Sequence, residues 1–385
     1  MLLGTQLPFE RVPHTLSHFT LVVIGEETAR RLTEAAGAAL ERTEREAVEH
    51  LERAWVAGPA GPPVQQLSTD GAMAPLVGGE WAEVKTLAVG RVELGIQPDG
   101  SAGPQTTDLS YFSRLLDAEA FTRLAYGEVH RRGTERAGTV CAVMDGAEWL
   151  QHFVDRHRRD AVRILDFPHA AEHLGLAAQA VFGAGTAEAS EWLGRQLHEL
   201  RHGDPEAVLA ALRALAPAGR AAPAAAAKVR EVLAYLTKRR AQLDYVQFDA
   251  AGYPVGSGAV ESANKLLMEA RLKGSGMHWA RANVNPMLAL RCALCSGRWA
   301  EAWPQIWQGL RRTQAERRRA HRQQRHPPCP PAPPPPASPP PPQRRCARRR
   351  PPKGLMVNGR PTADHPWNRP LRHRRSAEPT STAKL

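Results

Sequence analysis

Two short apolar runs constrain the fold more than any other feature of the chain. Gly138–Asp145 reads GTVCAVMD and Ala161–Asp166 reads AVRILD. Both are nearly continuous in apolar residues, and both stop at an aspartate. Runs of this kind form buried strands covered on both faces, as in parallel sheets flanked by helices. A third strand-like run, Val64–Asp70, also ends at an acid, within LSTDGAM. Trp81–Gly95 alternates and contains a valine-rich stretch, which predicts two further strands, and 108–132 predicts a helix. A helix follows from Pro168, since proline fits a first turn. Residues 175–245 are alanine-rich, almost wholly helical in pattern, and hold no acidic strand end. The glycine-rich turn Gly252–Gly258 then precedes a helix over Ala259–Lys273. Strands alternating with helices imply an α/β core with an inserted helical block.

The first segment reads differently. A short helix over Phe9–Phe19 is followed by a second over Glu26–Leu40, which residues 41–57 extend. Gly25 stands at the turn, and Glu26, Glu27 and Thr28 suit a helix start. The pair matches a helix-turn-helix, whose second helix would present Arg30, Arg31 and Thr33 to a DNA major groove. A plain helical hairpin carries the same pattern. Gly58–Pro63, GPAGPP, marks a boundary.

Charge is distributed unevenly. The 385 residues carry a net charge of +12 and 33 prolines. Residues 311–385 hold 19 Lys and Arg against 3 Asp and Glu, and 14 prolines fall between Pro327 and Pro352, whereas residues 1–310 are slightly acidic. The segment from 311 is therefore predicted to be a basic, proline-rich disordered tail. It would add nonspecific affinity for DNA, or be a solvated terminus without a role. A positive balance points to a polyanionic partner, nucleic acid before an anionic membrane surface. No run of 18 apolar residues is present, which excludes a membrane-spanning helix. The N-terminus lacks the basic start and cleavage site of a signal peptide. Five cysteines do not make a disulfide scaffold, and a cytoplasmic location fits them. The expected organisation is a helical region at 1–57, an α/β core at 58–174, a helical insertion at 175–250, the last part of the core at 251–310 and the tail at 311–385.

The acids themselves suggest chemistry. Asp70, Asp145 and Asp166 stand at strand ends, and Glu261 lies near a helix start in VGSGAVESANK. An acid at a strand end points into the crevice above a sheet, where active sites collect. Three carboxylates meeting there repel one another unless a cation lies between them. Mg²⁺ prefers such oxygen ligands, and two ions about 3.5–4 Å apart suit phosphodiester chemistry. Each acid also has a plainer reading. Asp-Gly is a common turn, and Glu261 would complement a helix dipole.

The runs STDGAM, VMDGAEWL, DFPHAAEHL and YPVGSGAVESANKLLMEARLKGSGMHWARANVNPMLALR together resemble the DDE transposases of bacterial insertion sequences. The nearest resemblance is to the ISKra group, related to Mutator-like and hAT-like enzymes. It covers roughly residues 1–310, and Val357–Trp367 is also similar. It implies an RNase H-like catalytic core with an all-helical insertion before the last catalytic acid. It also implies a Mg²⁺-dependent enzyme, with Mn²⁺ as a substitute, acting on the double-stranded DNA of element ends and target. A homo-oligomer in a synaptic complex, associated with the bacterial nucleoid, is implied too. Members of the group carry further sequence upstream, which implies a shortened copy.

Carried over residue by residue, Asp70, Asp145 and Glu261 resemble the triad that holds the metal and catalyses strand cleavage. Asp166 to His169 resembles the Asp/Cys-x-x-His signature after the second acid. There His169 would lie near the scissile phosphate, or simply cap a helix, and Asp166 would orient the turn. Asn264, Lys265, Arg271 and Lys273 follow on the helix of Glu261, as phosphate contacts or a solvated face. His278 and Trp279 would stack on DNA, with core packing the plainer role for Trp279. Cys292 and Cys295 form a single CxxC pair on a helical segment, short of the four ligands of structural zinc, so no zinc is expected. Two rival functions remain. One is a non-catalytic, sequence-specific DNA-binding protein derived from a transposase, and the other a glycosidase using a carboxylate pair.

Overall fold

A five-stranded mixed sheet lies at the centre of the computed structural model, which describes residues 1–54, 56–97, 100–215, 223–325, 356–357 and 360–361. The strands are β1 (Val64–Pro75), β2 (Trp81–Ile96), β3 (Ala102–Arg114), β4 (Thr139–Met144) and β5 (Val162–Leu165), in the order β3-β2-β1-β4-β5. The first three form an antiparallel meander, while β4 and β5 run parallel to β1.

Three strands differ from the sequence expectation. The first does not end or turn at Asp70: β1 continues to Pro75, and Asp70 pairs with Thr86 because β2 offers a ladder partner all along this stretch. Trp81–Ile96 is one strand, not two, because the register shift at Gly90 is absorbed as a bulge between Val89 and Arg91. Residues 102–114 form a strand, where a helix was expected from 108. Thr106, Thr107, Tyr111 and Phe112 suit a pleated surface, and the helix starts only at Ala118, behind the Asp117 cap that accepts from the Ala120 amide at 2.8 Å.

The helices, in chain order, are α1 (Leu2–Gln6), α2 (Arg11–Phe19), α3 (Glu26–Ala54), α4 (Ala118–Arg131), α5 (Glu148–His157), α6 (Phe167–Phe182), α7 (Ala187–His202), α8 (Pro205–Leu215), α9 (Pro223–Lys238), α10 (Tyr245–Ala250), α11 (Gly258–Asn264), α12 (Ala270–Leu272), α13 (Arg281–Cys295) and α14 (Trp299–Arg325). One π-helical turn, Lys265–Glu269, joins α11 to α12.

Side-chain alternation assigns the layers. Leu67, Val140 and Ala142 pack under α4 and α5 with Phe121, Ala125 and Phe153. On the other face, Cys141, Val143 and Ile164 pack against α6–α10 through Leu174, Trp192 and Val232. Ala74 and Val84 on that same side meet Met268, Leu272 and Leu288. The helical block therefore starts at Phe167, and the boundary expected at 175 falls inside α6.

The N-terminal helices are scaffold. Helix α3 packs on α13 and α14 through Ala36, Leu40, Ala289, Leu290, Ala302 and Ile306. It crosses α13 so closely that a Cβ on Gly37 would lie 2.1 Å from the Pro286 carbonyl oxygen. A buried ion pair joins Glu44 of α3 to Arg114 of β3. The expected recognition helix is corrected in part. Thr33 is fully buried, with its hydroxyl donating to the Ala29 carbonyl. Arg30 is exposed but paired with Glu27 and Glu34, and Arg31 is exposed.

The tail boundary at 311 is also corrected, since α14 continues to Arg325. Two bidentate ion pairs hold it to α3: Arg42 with Glu316, and Arg312 with Glu46. The chain divides into two units after His326. In the second, Met356–Val357 pairs antiparallel with Arg360–Pro361. The rest of the expected disordered tail lies outside the described residues. Among the described residues, no helix is long and apolar enough to cross a membrane.

Candidate active site

The sheet register brings the acids together. In the β1–β4 ladder Gln66 pairs with Cys141 and Leu67 with Ala142. Continuing that offset sets Asp70 opposite Asp145. In the β4–β5 ladder Cys141 pairs with Val162 and Val143 with Ile164, and the same offset sets Asp145 opposite Asp166. All three share the parity of Cys141 and Val143, so they stand on the face covered by α6 and α11. Glu261 comes to this face on the first turn of α11.

Asp70 is half-buried. Its carboxylate accepts from the Gly71 amide at 2.7 Å and from Asn264 Nδ2 at 2.9 Å. Burial holds this carboxyl above the ordinary aspartate range, and the charges of Asp145 and Glu261 push it further the same way. The three acids therefore lie within electrostatic reach of one another. Asp145 accepts from the Ala147 amide at 2.8 Å, closing a tight turn at Gly146, which has φ +82°. Glu261 is exposed, and the Ser257 hydroxyl donates to it at 3.4 Å.

Asp166 has the orienting role expected of it. It accepts from the Ser257 amide at 2.6 Å and from the His169 amide at 3.3 Å, and so ties the start of α6 to the loop before α11. Burial raises its carboxyl above the usual range. His169 lies half-exposed on the first turn of α6, with Nδ1 3.7 Å from Glu172 and its ring against His173.

The flanking residues divide. Asn264 is buried on Asp70 rather than presented to a phosphate, and its Oδ1 has no hydrogen-bond partner. Lys265 is exposed, and Lys273 pairs with Glu269 at 3.1 Å. Arg271 is 2% exposed, so the expected phosphate contact is corrected. Its guanidinium donates to the Gly4 carbonyl and lies over the rings of Phe9 and Trp279. Burial, helped by Arg291, lowers its pKa to about 10. Trp279 is buried too, packing on Phe9 and bridging the end of β1 through its backbone, so core packing is its role. His278 is exposed. Cys292 is buried in the core beside Tyr111 and Val260, and Cys295 is partly buried.

Sequence reasoning missed two residues, Tyr235 of α9 and Arg239 just past its end. The Tyr235 hydroxyl donates to the Asp145 carbonyl. Arg239, 8% exposed, donates through Nε to the Gly146 carbonyl at 3.0 Å and through a terminal nitrogen to the Tyr235 carbonyl at 3.0 Å. Its guanidinium stacks 3.9 Å from the Tyr235 ring. The helical block thus clamps the turn that carries Asp145. The only sequence signal was their i, i+4 spacing, which sets Arg239 one turn beyond Tyr235 at the end of α9.

A groove of about 1050 Å³ runs beside the acids, between the β2–β3 hairpin and the start of α11, lined by Gln66, Gln105, Gly256, Gly258 and Ser262. None of the three acids lines it. No model of a protein family matches the chain, and no curated protein matches it.

The oxygen-rich chemistry of these residues is of the kind a hard divalent cation takes. Three carboxylates, one of them destabilised as an anion by burial and then by the other two, stand beside an orphaned amide oxygen. Among the described residues the side chains do not bring three ligating groups to one point. Glu261 is the exposed member, held by the hydroxyl of Ser257.

Proposed function

We propose that the chain is a DDE-type DNA transposase of a bacterial insertion sequence, with an RNase H-like core interrupted by the helical block of α6–α10. The observation that carries this reading is the β1–β4 ladder, which, continued past Leu67–Ala142, sets Asp70 opposite Asp145 just beyond β4, with Glu261 brought to the same face. The strand order β3-β2-β1-β4-β5, with the antiparallel meander on one side, supports the same reading.

Asp70, Asp145 and Glu261 are the residues that would hold Mg²⁺ or Mn²⁺. Bound there, the metal supplies Lewis-acid activation of water and of the departing oxygen in phosphodiester cleavage and strand transfer. The chain's own contribution is orientation. Asn264 fixes one oxygen of Asp70, the Gly146 turn aims Asp145, and Ser257 steadies Glu261. Asp166 keeps the starts of α6 and α11 in place. The substrate is double-stranded DNA, at the element's ends and the target, held by a homo-oligomer at the bacterial nucleoid.

The test is cleavage of element-end DNA with Mg²⁺. Asp145→Asn abolishes strand cleavage and leaves DNA affinity within a few-fold of wild type. Retained cleavage by that variant overturns the assignment.

A further inference from the structure

Beyond the acids, the strongest unexplained feature is the exposed side of α14. Residues 311–322 contain six arginines and a single acid, Glu316. Glu316 is occupied by Arg42, and Arg312 is occupied by Glu46. Arg311, Arg317, Arg318, Arg319 and Arg322 are exposed, and among the described residues none has an acidic partner within salt-bridge distance. The inner side of the helix is anchored by Ala302 and Ile306 in the core. Gly309 meets Ala39 there as well. That anchoring fixes which arginines face outward. Trp307, Arg311, Arg318 and Arg322 recur at helical spacing along one open groove of about 700 Å³, a stripe roughly 22 Å long at 1.5 Å per residue. Arg318–Arg322 and Arg319–Arg322 are like-charge pairs at i, i+4 and i, i+3, which weaken a helix on their own. A polyanion laid along the stripe removes that repulsion.

We propose that this face of α14 binds the phosphate backbone of duplex DNA, with Arg311, Arg318 and Arg322 as the phosphate contacts. The inference rests on DNA as the partner in the reading above, but not on catalysis. It replaces a nonspecific tail with a structured surface anchored to α3.

The test is fluorescence anisotropy of the full chain on a random-sequence 30-base-pair duplex between 50 and 200 mM KCl. Replacing Arg311, Arg318 and Arg322 by Gln removes three charge contacts. This flattens the log–log salt slope by about 3, so that wild type loses roughly 40-fold more affinity than the variant across that range. The Lys triple variant keeps the slope. A control in which Arg91, Arg159 and Arg213 become Gln changes the slope by less than about 1. Should the Gln triple variant fail to fold, Arg318→Gln with Arg322→Gln, beyond the ion pairs to α3, is read the same way with a change of about 2. An unchanged slope, or an equal change in the control, overturns the proposal. So does DNA binding that is unaffected while binding to phosphatidylserine vesicles is lost. DNA bound with this salt dependence but never cleaved counts against the catalytic reading alone.

Discussion

Replacing Arg239 by Met tests whether the helical block holds the Asp145 turn. Met approximates the volume of the arginine stem but donates nothing. The Gly146 and Tyr235 carbonyls then lose their charged donor in a site that is 8% exposed. A hydrogen bond from a charged group contributes about 1.5–3 kcal/mol, and an orphaned buried carbonyl costs about 1–3 kcal/mol. The stacking over Tyr235 adds about 0.5–2 kcal/mol. These contributions overlap, and removing a buried charge returns part of its desolvation cost. The expected net loss is about 2 kcal/mol, which lowers the Tm by about 3 °C for a unit of this size. The second readout is local: backbone amides between Val143 and Glu148 exchange faster with deuterium, because the turn loses its clamp. Arg239→Lys, which keeps one charged donor, falls between the two. An unchanged Tm with unchanged exchange at these amides would refute the clamp.

Two further predictions concern pH. Burial holds Asp70 above the ordinary carboxylate range, so the folded chain binds that proton more tightly than the unfolded chain and its charged form costs stability. Asp70→Asn therefore raises the Tm at pH 7 in metal-free buffer, with Asn264 turning its free Oδ1 toward the new amide, and the gain disappears below about pH 3.9, where both states are protonated; a lower Tm at pH 7 refutes this. Burial lowers His157 to about 4, with Nε2 on the Thr122 carbonyl at 2.9 Å. Because the unfolded histidine titrates near 6.5, stability falls by about 3 kcal/mol as pH drops from 6.5 to 4 and is fully present above that window. Urea titrations at pH 7 and 4.5 should show a smaller difference for His157→Gln than for wild type, and equal differences exclude this residue as the source.

How legible the molecule was depends on the range of each interaction. Strand β4 was readable because an unbroken apolar run has one stable environment, between two helical layers. The acids at its end and at the end of β5 were readable for the same reason. The start of β3 was not, since TTDLSYF satisfies a helical pattern as well as an alternating one until β2 lies beside it. The bulge at Gly90 reads as a break between two strands until the partner shows the ladder continuing across it. The burial of Arg271 was not legible, since phosphate contact and solvated face were the two readings open to a cation near a glycine loop, whereas core packing was already the plainer role for Trp279. Phe9 and Gly4, more than 260 positions away in sequence, enclose the arginine.

The sequence alone determined an α/β chain in which β4 and β5 stop just before an aspartate, the helical character of the block before Glu261, and the arginine excess beyond residue 311. These follow from period-2 and period-3.6 patterning and from charge counts, which are local properties. Only the tertiary structure decided that Asp70 and Asp145 share a register, that α9 grips the turn between β4 and α5, that α3 is a core helix, and that α14 has an anchored side and an open one. Each of those depends on groups far apart in the chain. Burial and pairing exist only once the sheet has set the spacing and the helices have closed over it.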